Sequence, residues 1–351
     1  FTWKNNVLTF RRAHEEYLLF LKSQGNSKND IKNHKYRVSS FCRFIYSSHK
    51  SPLCDLSMKK LKPFMIDEWL ASEQERGIAQ TTISGYLQTV QFVEKFARER
   101  YPNRCSKKPF SFHHTVRKNK ARDDDTVLER EDLLLMVNAA KAMTKSSVLN
   151  QIASAVVFLT VIETAIRNGE VKTLTMDRLG LDSPQGVIDK DGNIENYYIM
   201  RVEGEAKTGK SEIRNAFYGD KLANYLKRWL AVRPHVNHNY VFTRVTNCPW
   251  HAPFEQHPTC PQCLRHGLPH SSESIRKCNR HVARIAGFSG RMKDALPHAL
   301  RHAVGRYIVD QGHPKIAQKR LGHKKLDTTL TIYGHQDNSR VALNTIETSL
   351  L

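Results

Sequence analysis

The chain has 351 residues, enough for about two domains, and its 55 Lys and Arg against 34 Asp and Glu give a net charge of +21. An apolar fraction of 40% can build buried cores, which excludes a wholly disordered basic protein. The longest apolar stretch, Ile152 to Ile166, is interrupted by Ser154, Thr160, Glu163 and Thr164. It is too short and too polar to span a bilayer, which takes about 20 residues. No lysine-rich amphipathic helix with a broad apolar face is present, so a folded polycation of this kind points to nucleic acid rather than a membrane surface. Seven cysteines, three of them grouped at Cys248, Cys260 and Cys263, fit reduced thiols with one metal site better than a disulfide scaffold.

In chain order, Thr9 is a helix cap, followed by apolar Phe10, Ala13, Tyr17, Phe20 and Leu21 and stopped by Gly25. Ser27 opens a second helix with Ile31, Val38, Phe41, Cys42 and Ile45 on one face. Pro63 suits the first turn of a third, closed by Gly77, and Thr81 starts a fourth with Ile83, Leu87, Val90, Val93 and Ala97 at helical spacing. Four amphipathic helices in about 90 residues predict a small bundle. Up to Arg122 there are 24 basic and 10 acidic residues, a net of +14, which the outward faces of that bundle must carry.

Periodicity fails between Pro102 and Asp125, where a basic run from His113 to Arg122 meets the acidic triplet Asp123 to Asp125. This reads as an interdomain linker able to lie along phosphates. Beyond it, Leu128 to Ala142 and Ile152 to Ile166 read as helices, and Tyr197 to Val202 and Ile213 to Tyr218 as strands flanking a turn at Ala206 to Lys210. Helices return from Leu222 to Ala231, from Ser274 to Ala286 and from Pro297 to the end.

The segment Pro297-His298-Ala299-Leu300-Arg301-His302 carries the most chemistry. With Pro297 in the first helical position, His298 and Arg301 lie three apart on one face and can cradle a phosphate. His323 follows in Leu321-Gly322-His323, and Tyr333 stands ten residues later. Upstream are Arg167-Asn168-Gly169-Glu170 and a lysine-bearing turn with Lys207 and Lys210. Transfer of a phosphodiester to a protein group needs a nucleophile, a proton donor for the leaving oxygen and cations around the non-bridging oxygens. A phenol with a pKa near 10 is only about a thousandth ionised at pH 7, so its attack requires a strongly positive site. Arg167 and Arg301 can supply that field, since guanidinium stays charged.

Arg167, Lys207, His298-x-x-Arg301, His323 and Tyr333, in this order and spacing, closely resemble the tyrosine recombinases, also called the phage-integrase family. The likeness covers nearly the whole chain and is strongest from Ile152 to Gly334. It implies a mainly α fold with a small β-sheet: a helical core-binding domain over 1–105, a basic linker over 106–126 and a mixed α/β catalytic domain over 127–351. It further implies that Tyr333 attacks the scissile phosphate to form a 3′-phosphotyrosyl bond. Arg167 and Arg301 would clamp the non-bridging oxygens, and Lys207 would protonate the leaving 5′ oxygen, with Lys210 as its competitor. His298 would assist proton transfer, His323 would hydrogen-bond the phosphate, and Glu170 would orient Arg167 or a histidine. The residues Ala165-Ile166-Arg167 depart from the Gly-Leu-Arg common in the family, which should alter packing more than chemistry.

A larger departure is an apparent insertion over 246–271. Cys248-x-x-His251 and Cys260-x-x-Cys263 have the two-residue gaps of a tetrahedral zinc site, with His257 or His266 as substitute ligands and His270 nearby. Two complete pairs leave no open position, so such a zinc would be structural. The chemistry itself requires no cofactor in this reading, because cations take the part that other phosphoryl-transfer enzymes give to Mg²⁺.

The expected protein is therefore a site-specific DNA recombinase of a mobile element, acting on double-stranded DNA as a homo-tetramer on two sites, with accessory recombination proteins as further partners. A cytoplasmic, nucleoid-associated location and no membrane partner go with it. The tail over 338–351 carries Val341, Leu343, Ile346 and Leu350, suited to packing on a neighbouring protomer. A type IB topoisomerase or telomere resolvase would share the tyrosine chemistry, and a zinc-containing architectural DNA-binding protein would lack cleavage.

Overall fold

The Thr9 hydroxyl accepts the Arg12 N–H at 3.2 Å, and helix α1 runs Phe10–Ser23 from that cap. Ser27 does the same for α2 (Lys28–His49), accepting the Asp30 N–H at 3.1 Å. The computed structural model describes residues 7–49, 56–107, 128–188, 194–205, 211–246, 260–261, 263–288 and 296–333. The chain divides after Asp123 into two units.

In the N-terminal unit Pro63 occupies the first turn of α3 (Pro63–Glu75). Helix α4 (Gln80–Arg100) begins one residue ahead of Thr81, behind Ala79, without a side-chain cap. Ile83, Leu87, Val90, Val93 and Ala97 are buried along it, the stripe its spacing predicts. The core centres on three rings, with Phe10 edge-on to Phe41 at 5.1 Å and Phe41 edge-on to Trp69 at 5.0 Å. Beside them the buried Glu73 accepts from Ser40 Oγ and Arg76 Nη1, each at 2.7 Å, so its charge is compensated. Cys42 is disulfide-bonded, against the expectation of reduced thiols, a pairing that spacing alone does not reveal. Cys105 and Cys278 are buried free thiols.

The C-terminal unit is built around α6 (Leu149–Thr164), which is apolar on every side and buried from Ile152 through Val161. Around it pack α5 (Arg130–Met143), α8 (Asp220–Val232) and α9 (Ser272–Ile285). Helix α6 stops at Thr164 rather than Ile166, because Ala165 turns left-handed at φ +50°. A short helix, α7 (Asn168–Thr173), follows. The sheet has three antiparallel strands in the order β1 (Gln185–Ile188), β2 (Ile194–Glu205) and β3 (Ser211–Gly219). The predicted strands are thus longer than expected, and β1 is additional. Tyr198 pairs with Tyr218 across β2 and β3, their rings stacked at 5.3 Å.

The single helical run expected after Pro297 is three helices: α10 (Pro297–Asp310), α11 (Pro314–Leu321) and α12 (Leu326–Tyr333). Gly312 and Gly322, at φ +79° and +61°, make the two breaks. Of the linker expected at 106–126, residues 108–126 lie outside the described residues, as does the tail expected at 338–351. No described helix is long and apolar enough to cross a membrane.

Phe158, fully buried at the middle of α6, measures how far this unit depends on its central helix. Phe158→Ala is expected to destabilise the C-terminal unit by about 3–5 kcal/mol. Urea unfolding of that unit reads it, and an unchanged midpoint would contradict the central role of α6.

Candidate active site

The site begins where α6 ends. Ala165 is buried and is the only non-glycine at positive φ among the described residues. The family's usual glycine at this position has its reason here, since a left-handed alanine costs about 1–2 kcal/mol. The methyl group is accommodated in a small cluster with Val304, Ile308, Ala317 and Leu321. The reversal sends the chain into Arg167, the cap of α7.

Glu170 reaches back to that cap. Its Oε2 accepts the Arg167 N–H at 2.6 Å and its Oε1 accepts Arg167 Nη1 at 3.0 Å. A second arginine, Arg214 on β3, donates Nε to Oε1 at 3.1 Å and Nη2 to Oε2 at 2.8 Å. Glu170 is only 2% exposed. Burial pushes its carboxyl upward, but the bonds and charges of Arg214 and then Arg167 outweigh it and hold the pKa below the usual range. Glu170 is therefore a buried carboxylate held between Arg167 and Arg214. The Arg167 side chain remains half exposed.

Three guanidinium groups then meet at the C-terminal end of α11, where carbonyls lack helical partners and the helix dipole is negative. Arg214 Nη1 donates to the Arg320 carbonyl at 3.2 Å, Arg301 Nη2 to the Leu321 carbonyl, and Arg167 Nη2 approaches the Gly322 carbonyl at 3.5 Å. Arg301, 4% exposed, also donates Nη1 to the carbonyl of Ala165. Helix α10 thus supplies a cation that pins the ends of α6 and α11 together. Gly322 is required twice over: it adopts φ +61°, and a Cβ there would lie 2.6 Å from Arg214 Cδ.

The next residue, His323, inherits this environment. Its Nδ1 lies 2.9 Å from the buried Thr329 hydroxyl. Burial, then the charges of Arg301, Arg167 and Arg214, lower its pKa, so the ring is neutral at pH 7 and acts as a hydrogen-bonding group. His298 and His302, one turn apart on α10, place their Nε2 atoms 2.8 Å apart, so one ring donates to the other. Tyr333 is the last residue of α12, and its side chain lies outside what the structure describes. Lys207 and Lys210 lie outside the described residues altogether. The structure therefore brings together Arg167, Glu170, Arg301 and His323, and adds Arg214, which sequence reasoning missed. Only its place on a strand next to the lysine turn could have signalled it.

Residues 126–340 match the model of the phage integrase family. The chain belongs to that family. No curated protein matches it by sequence. Among solved structures the fold resembles the Tn1549 transposon integrase in complex with transposon right end DNA, with a TM-score of 0.64 and 16% identity over 98% of this chain and 100% of that one. It also resembles XerH site-specific recombinase bound to its difH substrate, with a TM-score of 0.63 and 17% identity over 90% and 79% of the two chains. A lambda integrase dimer bound to a core site gives 0.60 and 17% over 95% and 80%. At such identities the likeness is one of fold, and it agrees with the mainly helical architecture and small sheet expected of a phage integrase.

Of the Cys/His residues in this phage integrase, Cys248, His251 and His257 lie outside the described residues. Cys260 and Cys263 bracket a turn in which the Leu264 N–H donates to the Cys260 carbonyl at 3.0 Å. His266 Nδ1 accepts the Thr246 N–H at 3.3 Å, so metal contact from this ring would use Nε2. Among the described residues no three such side chains are grouped to hold an ion. His270 is structural: Nε2 donates to the Thr243 carbonyl at 3.0 Å and Nδ1 lies 3.0 Å from Ser274 Oγ. Nearby, a concavity of about 590 Å³ is lined by Arg244, Arg265, Lys277, Arg280 and Arg284, of which Arg280 is paired with Glu273 at 3.3 Å.

Burial lowers the His270 pKa to about 4 against an ordinary value of 6.5. Between those values the unfolded chain binds a proton that the folded chain refuses, so stability falls as pH drops from about 6.5 toward 4. A shift of this size corresponds to about 3 kcal/mol at the acid end. Urea unfolding at pH 7 and pH 4.5 should show a smaller loss for His270→Gln than for wild type. An identical loss in both proteins would contradict the assignment.

Proposed function

We propose that this phage integrase is a site-specific DNA recombinase that breaks and rejoins duplex DNA through a 3′-phosphotyrosyl intermediate, moving a mobile element. The observation that carries the reading is the meeting of Arg167, Arg301, Arg214 and His323 at the end of α11, one short helix before Tyr333. Three guanidinium charges against the single Glu170 carboxylate leave a net positive field beside a neutral histidine, which is what an anionic phosphorus centre needs as charge accumulates.

In this scheme the Tyr333 hydroxyl oxygen attacks phosphorus while its proton passes to the histidine side of the site, with His298 assisting. The bond from phosphorus to the 5′ oxygen breaks, and Lys207 protonates that oxygen. Arg167, with its half-exposed side chain, is the more accessible clamp on the non-bridging oxygens. Arg301, spending two donors on carbonyls, contributes charge and holds the site together. His323 hydrogen-bonds the phosphate. The 5′-hydroxyl of a second strand then attacks the phosphotyrosine, conserving the bond energy, so joining needs no ATP. Cationic side chains fill the part a divalent ion would otherwise play, which makes the chemistry metal-independent in this proposal.

The substrate is double-stranded DNA, consistent with the net charge of +21 and the basic concavity beside α9. A tetramer on two sites, helped by accessory proteins and located with the nucleoid in the cytoplasm, completes the reading. A nicked suicide duplex drawn from the flanks of the encoding element should give a covalent adduct with wild type and none with Tyr333→Phe, while duplex affinity stays near wild type. Equal adduct yield would overturn the assignment of the nucleophile. Two labelled duplexes should exchange strands; relaxation of supercoils without exchange would favour a topoisomerase.

A structural zinc held by Cys248, His251, Cys260 and Cys263, with His257 or His266 as substitutes, is part of the same proposal. Cys260 and Cys263, set on one turn, suit tetrahedral thiolate ligation. Elemental analysis should find one zinc per chain, lost in Cys260→Ser/Cys263→Ser. A metal content unaffected by that substitution would sink the site.

A further inference from the structure

We infer that Arg214 is a positioning residue for DNA cleavage: it takes up the charge of Glu170, so that Arg167 is oriented by that carboxylate without being neutralised by it. The inference rests on the reading that Arg167 acts on the scissile phosphate.

Each Glu170 oxygen accepts one bond from each arginine. Oε1 takes Arg167 Nη1 and Arg214 Nε, and Oε2 takes the Arg167 backbone N–H and Arg214 Nη2. The carboxylate cannot withdraw, because β2 closes behind it. Gly204 lies so near that a Cβ there would sit 3.2 Å from Oε1. Arg214 itself is 16% exposed and held on its far side by the Arg320 carbonyl and the bare Cα face of Gly322. A lysine would lose this two-pronged geometry but keep the positive charge, which is what offsets Glu170.

The electrostatic consequence follows from counting charges at the site. Arg167, Arg214 and Arg301 against Glu170 leave an excess of two positive charges. Without Arg214, Glu170 and Arg167 form a closed pair, and the half-exposed guanidinium that should meet phosphate faces a full buried counter-charge instead. Arg214 also stands on β3, four residues past Lys210, and bonds the helix end that leads directly into His323. It thereby links the strand leaving the lysine turn to the arginine box and the histidine.

A single-turnover cleavage assay at saturating suicide duplex tests this with four proteins: wild type, Arg214→Gln, Glu170→Gln and Glu170→Gln/Arg214→Gln. Arg214→Gln should cleave slower by about tenfold to a hundredfold, the range typical of outer-shell partners, with duplex affinity and N-terminal unit stability near wild type. The double substitution, which removes the unbalanced carboxylate as well, should recover most of that loss. A part played only in folding predicts no such recovery. Should Arg214→Gln fail to fold, Arg214→Lys takes its place, keeping the charge, and should cleave near the wild-type rate. Absence of recovery in a folded double substitution, or a collapse of Arg214→Lys to background, overturns the inference while the recombinase reading stands. Wild type that forms no adduct overturns both.

Discussion

The arginine cluster of the candidate site hangs on the last turn of one eight-residue helix. The C-terminal carbonyls of α11 at Arg320, Leu321 and Gly322 have no helical partners, and each is met by an arginine from a different part of the chain: β3, α10 and the cap of α7. A helix end is negative, so it both attracts these cations and spaces them. The carboxylate of Glu170 relieves the repulsion between two of them and is itself stabilised in a buried position by their charge.

The same geometry explains why the backbone is unusual in two places. Ala165 and Gly322 are left-handed residues at the ends of α6 and α11, and Arg301 donates to the carbonyl of the first and to the residue preceding the second. One buried guanidinium thus joins two helix ends that would otherwise present unsatisfied acceptors to the interior. The strain at Ala165 is held by that bond and by the packing of its methyl group against Val304 and Leu321. Such a site is pre-organised: its cations are positioned by the protein's own carbonyls rather than by an arriving anion.

Histidines in this molecule fall into distinct physical classes. His270 is buried, bonded through both nitrogens and driven to a low pKa by desolvation. His323 is kept neutral by burial and three arginine charges. His298 and His302 are tied to each other on the surface of α10. The residue type is one, but the neighbours decide whether it is a packing element, a neutral hydrogen-bonding group or part of a proton-sharing pair.

The amino-acid sequence determined the helical N-terminal bundle through its apolar periodicity and its Thr9, Ser27 and Pro63 start signals. It also marked Arg167, Lys207, His298, Arg301, His323 and Tyr333, whose order and spacing carry the family resemblance, with Glu170 three residues after the first. Each of these features is written in its own short segment, so periodicity and the order of motifs along the chain suffice to read them. It did not contain, in any legible form, the end of α6 at Ala165, the division of the last helical run at Gly312 and Gly322, or the part of Arg214. An arginine in the middle of a strand looks like any solvent-facing cation until the fold sets it against a carboxylate 44 residues away. Convergence of this kind is decided by tertiary structure alone, because the partners of a buried charge are chosen by packing between distant segments and leave no period in the chain.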